Sequence, residues 1–586
     1  MNKLRKTLRV GALCLAGVLA LVSCGKGDQP VPDPGKTDSL PKPVNVKVAV
    51  AGETSLDITW DAVSGAQSYG YKLQQDGKNI ASGTVTVPLV KIGDLQADTE
   101  YAFQVYAAAG DVKSVFSAVL KARTAKATVP VDPENPVTTV CVDEPFVVPV
   151  NIKTPSLGTS GCISVYKGET LVDRIDLADL ATVDVRADGQ MVPKATIKND
   201  TPFNTFMDAI PSGNRYRLVH YTPLRFDGSA LVIKLHSGVL DFDTDYKLVV
   251  DAGVVRTEPE HVVEFRTGSK PASASAITVA ADGSGDFCTV QGALSYVSTY
   301  KGAVTITVAE GTYNEMLFLR ERADVTLVGA SREKTEIAYA NAEALETGSG
   351  GIANSKPTVG KSLGTVGGRG LFLFENCDGL RLENMTLRNT YGEQGQAEVI
   401  YFNSGSNAHK LVIENCALHS LQDTFLTKGE VYVHKSLIAG NVDFIWGYPK
   451  VCLFEECEIR CEYHKNGGYI IQARVPSASA KGFVFLNCQI TAGEGAKDGS
   501  VYLARSAGQA DCFDNVTYVN CSMASVIAPA GWYTNPAPNP STPTATSGWK
   551  EYGTTGASTA SRNAYGYALT ESEAAAYSSR AAVLGW

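Results

Sequence analysis

One short phrase recurs through the second half of the chain: one or two apolar residues, a polar residue that is usually Asn, then a small apolar residue. It stands as Phe374-Glu375-Asn376-Cys377, Leu382-Glu383-Asn384-Met385 and Ile413-Glu414-Asn415-Cys416. It returns as Phe454-Glu455-Glu456-Cys457, Phe485-Leu486-Asn487-Cys488 and Tyr518-Val519-Asn520-Cys521. The irregular spacing argues against globular repeats of one fixed length. A parallel β-helix accommodates it, because each coil buries its apolar strand residues while connections of variable length bulge outward. Asn at matching corners of successive coils can stack its amides into a ladder, which would explain its recurrence. The competing architecture is a large β-sandwich. Repeated strand signals on one template, with little helical periodicity, favour the solenoid.

The solenoid begins near residue 275, and 586 residues are too many for one core. Residues 1–23 read as a leader: Lys3, Arg5, Lys6 and Arg9, then the short apolar run Val10 to Val22. Leu21-Val22-Ser23-Cys24 resembles a bacterial lipobox, so Cys24 is the expected acylated N-terminus of an exported, membrane-anchored protein. The implied location is the bacterial envelope, on the outer membrane, facing the periplasm or the surface. Residues 24–42 are a Gly/Pro-rich tether. Residues 43–126 carry short alternating strands, an apolar Trp60 and Thr99-Glu100-Tyr101-Ala102-Phe103, and resemble a fibronectin type III module with a tyrosine corner. After a Pro-rich linker, residues 137–268 end in Tyr246-Lys247-Leu248-Val249-Val250 and Val262-Val263-Glu264-Phe265, similar to the last strands of an Ig-like β-sandwich. Of the 13 cysteines, Cys14 lies in the leader and Cys24 directly after it, and five lie in the repeated phrase, where they read as small buried apolar residues. No CxxC pair has a matching partner pair, so the sequence implies no metal site.

The chemistry is carried by two aspartates. The stretch Ile413 to Asp423 aligns with Val433 to Asp443, and Asp423 falls on Asp443. If twenty residues make one coil, the two stand in neighbouring strands about 4.8 Å apart. Like charges that close cannot both ionise, so one pKa should rise while the other stays low, giving an acid and a nucleophile from one residue type. Stacked aspartates on an open face would merely be solvated. These lie in apolar settings, Leu421-Gln422-Asp423-Thr424-Phe425-Leu426 and Val442-Asp443-Phe444-Ile445-Trp446-Gly447, where a carboxylate needs a reason to be.

Those two segments resemble the signatures of the pectin methylesterase family. Val279 to Gln291, Gly311-Thr312-Tyr313-Asn314-Glu315 and Gly395-Gln396-Ala397-Glu398-Val399 agree in order, as do Pro529-Ala530-Gly531-Trp532, Lys550-Glu551-Tyr552 and Thr570 to Ala574. The resemblance spans about residues 275–586. It implies a right-handed parallel β-helix that hydrolyses methyl esters of polygalacturonate to pectate and methanol, without a cofactor. It makes Asp443 the nucleophile of a covalent acyl-enzyme, Asp423 the general acid/base, and Gln396 and Gln422 the oxyanion donors. Arg505, in Tyr502-Leu503-Ala504-Arg505-Ser506-Ala507, matches the family's Leu-Gly-Arg-Pro-Trp and would hold Asp443 ionised by lowering its pKa. Trp446 and Val442 would contact the substrate. Ala507 replaces the tryptophan expected to stack on sugar, so the sugar subsites should differ.

Other readings remain at this point: an esterase acting on another or differently decorated polysaccharide, a calcium-dependent lyase, or a β-helix that binds pectin without cleaving it. Gly360-Lys361-Ser362-Leu363-Gly364 matches a nucleophile elbow but lacks the strand and helix around it. A net charge of −9, with no basic block beyond the leader, argues against nucleic acid as partner. The expected partners are the polysaccharide and the lipid bilayer, and the expected state is a monomer.

Overall fold

The computed structural model describes residues 40–52, 54–96, 99–124, 138–185, 191–193, 205–346, 348, 352–353, 367–392, 395–557 and 561–586. Cys24 and the Gly360–Gly364 segment lie outside the described residues. From Ala276 onward the chain is a parallel β-helix. Among the described residues it has a 17-stranded sheet running from Ala276–Val279 to Gly566–Ala568, and a nine-stranded sheet from Gly311–Tyr313 to Thr555–Gly556. Most coils place two strands in the larger sheet: Phe372–Glu375 pairs with Ile400–Asn403, while Leu380–Glu383 pairs with Lys410–Glu414. In two successive coils these pairs fuse into the long strands Phe425–His434 and Val442–Glu455. Those two strands begin at the aspartates.

The interior explains the repeated phrase. Its apolar positions stack coil on coil, as in Phe454, Phe485 and Tyr518, whose rings lie 4.7 and 4.5 Å apart and nearly parallel. Cys377, Cys416, Cys457, Cys488 and Cys521 follow as buried free thiols, the small apolar role expected of them. The Asn between them has a different reason from the one the sequence suggests. Asn376, Asn384, Asn415, Asn487 and Asn520 all adopt left-handed backbone, with φ between 49° and 56°. Each coil turns a corner there, and Asn tolerates that conformation better than most residues. The amide ladder contributes a rung, Asn415 Nδ2 to Asn384 Oδ1 at 2.9 Å, but Lys435 and Glu456 take the same corner with no amide at all.

The fibronectin-like module is a five-stranded sheet around Ser68–Gln75 and Glu100–Ala109, with a three-stranded sheet of Lys47–Ala51, Leu56–Thr59 and Leu89–Ile92. Trp60 packs against Tyr69 and Phe103. Residues 138–267 form a second sandwich, with one sheet centred on Cys162–Lys167 and Asp245–Val250 and another on Ala230–Ile233. Phe146, Val165, Leu231, Leu248 and Phe265 lie between them.

This second module is joined to the β-helix by a hairpin, Met207–Ser212 with Arg215–His220, whose second strand pairs with Ile352–Ala353. Ile210 and Val219 pack on Phe318 and Leu373, outward residues of the large sheet, and on Met316 just before it. Between them Arg217 is fully buried and spends its whole guanidinium on backbone carbonyls. It donates to Gly367 at 2.9 Å, Leu317 at 2.7 Å, Leu371 and Gly368 at 3.1 Å, and to Gly370. Burial pulls its pKa down to about 10, so it remains charged. Arg217→Met should therefore strand several buried carbonyls and lower stability by about 3–5 kcal/mol. Denaturant titration of the whole chain checks this, and an unchanged midpoint for the β-helix transition would refute it.

Candidate active site

Asp423 and Asp443 meet as their spacing requires. Phe425 lies beside Ile445 in the parallel register of the two long strands. Parallel bridges Gln396–Gln422 and Gln422–Val442 carry that register to the residue before each aspartate. The Asp423 N–H donates to the Val442 carbonyl at 3.1 Å. Both aspartates adopt left-handed backbone, φ 64° and 47°. This breaks the in–out alternation of an extended strand where the carboxylates begin. Both are buried, at 3% and 4% exposure.

The surroundings divide the pair. Asp443 accepts from Arg505 Nε at 2.8 and 3.1 Å, from Arg505 Nη2, and from Gln472 Nε2 at 2.9 Å. Gln472 is itself held by Arg474, whose Nε donates to its Oε1 at 3.1 Å. Asp423 faces a different arginine: Arg369 Nη2 reaches its Oδ2 at 3.3 Å. Arg369 Nε also donates to both Glu398 oxygens at 2.9 and 2.8 Å, and Nη1 to Glu343 and to Gln396 Oε1, each at 2.8 Å. With its oxygen thus occupied, Gln396 has its amide nitrogen left to donate on the side of Asp423.

Burial lifts the Asp423 carboxyl well above the usual carboxylate range; Glu398 and Asp443 add to the rise, and Arg369 opposes it. Asp443 is raised as well. That corrects the expectation that Arg505 would bring it below its ordinary value: Arg505 does pull it down, but desolvation of a nearly enclosed carboxylate is the larger effect. Both carboxyls are thus raised, and what divides the pair is geometry: the Arg505 fork grips Asp443 from 2.8 Å, while Arg369 reaches Asp423 only at 3.3 Å and shares itself with Glu398. Glu398, fully buried beside Arg369, is pushed up to about 7. Neutralising it removes a charge that raises Asp423, so Glu398→Gln should lower the Asp423 pKa. The basic limb of the rate profile should move to lower pH by about one unit. A pH–kcat/KM series reads this, and a limb that stays put or moves up would disprove the coupling.

Every residue singled out in the sequence around the aspartates lies in this region. Gln396, Gln422 and Val442 stand side by side and half-exposed. Trp446 is less available than the sequence suggests: it is 7% exposed, and the Arg474 guanidinium lies 4.8 Å from its ring centre. Little of its face is left for a sugar. Arg369, Glu398, Gln472 and Arg474 escaped the sequence reading. Glu398 left a signal, an acid inside the apolar run Ala397-Glu398-Val399-Ile400, and Gln472 continues the row Leu426–Trp446 into the next coil. Arg369, in Gly367-Gly368-Arg369-Gly370, left none.

This parallel β-helix presents on one face two buried carboxylates, each bonded to an arginine and flanked by glutamines, and its class is that of the carboxylic ester hydrolases. Comparison with known proteins makes the class specific. The chain belongs to the pectinesterase family, whose model matches residues 276–585, and a fibronectin type III model matches residues 41–123. Pectinesterase 31 of Arabidopsis thaliana is 32% identical over 262 residues, which are 44% of this chain and 76% of that protein. Probable pectinesterase A of Aspergillus niger is 28% identical over 287 residues, 48% of this chain and 80% of that one. Of Pectinesterase QRT1 of Arabidopsis thaliana, 29% identical over 265 residues, the match spans 63%, against 44% of this chain. The crystal structure of the Aspergillus niger pectin methylesterase superposes with a TM-score of 0.42 at 25% identity, covering 54% of this chain and 95% of that one.

Proposed function

We propose that the enzyme hydrolyses the methyl esters of pectin through an acyl-enzyme on Asp443. The observation that carries the mechanism is the unequal treatment of the two aspartates: Asp443 is held by Arg505 and Gln472, Asp423 by Arg369 beside a second buried acid. The Asp443 carboxylate attacks the ester carbonyl carbon, and the resulting oxyanion accepts hydrogen bonds from the Gln396 and Gln422 amides. As the carbon–methoxy bond breaks, Asp423 gives its proton to the departing oxygen, which leaves as methanol. Asp423, now a carboxylate, takes a proton from water. The hydroxide opens the anhydride at the sugar carbonyl, freeing a galacturonate and restoring Asp443.

Methanol release from methylated pectin tests this reading, with and without a chelator. No release by the wild-type protein would refute the esterase, and unsaturated products with chelator sensitivity would indicate a lyase. A wild-type protein active only on another ester-bearing polysaccharide would move the substrate and keep the mechanism. The same reading includes a monomer tethered to the bacterial envelope through acylated Cys24, since a polymer of this kind is met outside the cytoplasm. Cys24→Ala should shift the protein from the membrane to the soluble fraction, and light scattering checks the monomer.

A further inference from the structure

The row that begins with the two glutamines does not stop at the catalytic coil. Gln396, Gln422 and Val442 are followed in parallel register by Tyr469 and then Tyr502. A third tyrosine, Tyr533, stands in register with Arg505. The three rings form one cluster: Tyr469 and Tyr502 are stacked with centroids 6.0 Å apart, and Tyr533 meets them edge-on at 5.0 and 5.2 Å. The cluster touches the catalytic centre, since the Arg505 guanidinium that clamps Asp443 lies 4.5 Å from the Tyr469 ring centre.

Packing alone explains aromatic stacks inside the coils, where Phe454, Phe485 and Tyr518 are shut away from solvent. The tyrosine cluster differs because all three rings are only half-buried, on the outer face that bears the carboxylates. Tyrosine suits a sugar: its ring face accepts the axial C–H groups of a pyranose, and its hydroxyl bonds the ring's hydroxyls. Beside Arg505, Ala507 supplies no ring for this purpose.

We infer that Tyr502 and Tyr533, backed by Tyr469 whose faces are taken by Arg505 and Tyr502, form a sugar-binding subsite for the galacturonosyl unit next to the one whose ester is cleaved. This rests on the pectin esterase reading and adds which residues grip the chain. The cluster recognises ring and hydroxyls, so it accepts the neighbouring unit with its carboxyl free or esterified.

The experiment compares wild type, Y533A, Y533F and Y502A on methylated pectin and on methyl galacturonate, a single sugar that leaves the subsite empty. Y533A should raise KM for the polymer about tenfold with kcat nearly unchanged, and leave the monomer ester unaffected. Y533F keeps the ring and should restore most of the affinity. Polymer KM unchanged in both folded alanine variants would overturn the subsite; so would equal losses on polymer and monomer, which would mark a merely structural role through Arg505. Calorimetric binding of unesterified oligogalacturonide to wild type and Y533A reads the cluster without catalysis. If wild type releases no methanol from either ester, the esterase reading falls, whereas equal affinity of the two proteins for the oligomer removes the subsite alone. Should Y502A not fold, as judged by its thermal melt, Y533A and Y533F decide the matter.

Discussion

Asp443→Asn is expected to lower kcat for methanol release by about 10⁴-fold or more while the protein stays folded. The amide cannot form the acyl bond, but it keeps the size of the carboxyl and an oxygen for Arg505 to bond. Stability should hold or improve at neutral pH. The folded Asp443 pKa lies above its ordinary 3.8. Its stabilising contribution is therefore complete below the unfolded pKa and is lost as pH rises through the folded one. At pH 7 the ionised carboxylate is a burden that Asn removes, and a thermal melt should show a midpoint no lower than wild type. Asp423→Asn should behave differently. It removes an acid, worth about 10²–10⁴-fold on a methyl ester, whose leaving group needs a proton. On a nitrophenyl ester, whose leaving group does not, Asp423→Asn should recover most of the acylation rate, seen as a burst of about one nitrophenol per enzyme, while its turnover stays slow for want of the base; Asp443→Asn should give no burst. Equal rescue of both, or of neither, would mean that the two roles are not divided as proposed.

The legible part of this chain was whatever repeats. Asp423 and Asp443 could be stacked on paper because their coils share a twenty-residue step and several apolar positions between them match, and the register of Phe425 on Ile445 reproduces that alignment. The cysteines, too, followed from position alone. Electrostatic balance was not legible: Arg505 could be placed beside Asp443, but whether its charge or the enclosure wins depends on how much protein surrounds the carboxylate. The partners of Asp423 were hidden for another reason. Arg369 reaches it from 54 positions away in the chain, out of a Gly-rich loop with no strand period to align.

The module at 137–268 shows the same limit. Its strands were visible as alternation, and its two sheets formed as such patterns do. The hairpin at 207–220 could not be distinguished from the others, because what sets it apart is its partner. Ile210 and Val219 read as ordinary strand residues, yet they close over Phe318 and Leu373, in an apolar cluster that extends along the same face to Tyr401, Leu426 and Trp446. A domain whose role the sequence leaves unread thus packs on the sheet surface on which the site lies.

Arg369→Leu should produce the second large effect, and its sign separates electrostatics from packing. The change leaves Glu398 and Asp423 buried together without their shared cation, with Glu343 nearby. Stability should fall by about 3–5 kcal/mol at neutral pH and recover on acidification, as the stranded carboxyls take up protons. Arg369 lowers the Asp423 pKa, so its loss raises it further, opposite to Glu398→Gln. Asp423 then stays protonated over a wider pH range, so the acid form that acylation needs is abundant while the carboxylate that deacylation needs is scarce. Acylation should outrun deacylation. The expected trace is a burst of about one methanol per enzyme followed by turnover slowed about 10²-fold or more, on a profile whose basic limb has moved up. Arg369→Lys keeps the charge without the fork and should fall between. Replacing Glu398 as well, in Arg369→Leu with Glu398→Leu, removes the orphaned acid and should restore much of the stability without restoring kcat, because Gln396 loses the bond that fixes its amide. A double variant that regains full turnover would show that Arg369 only neutralises Glu398 and does not position the catalytic groups.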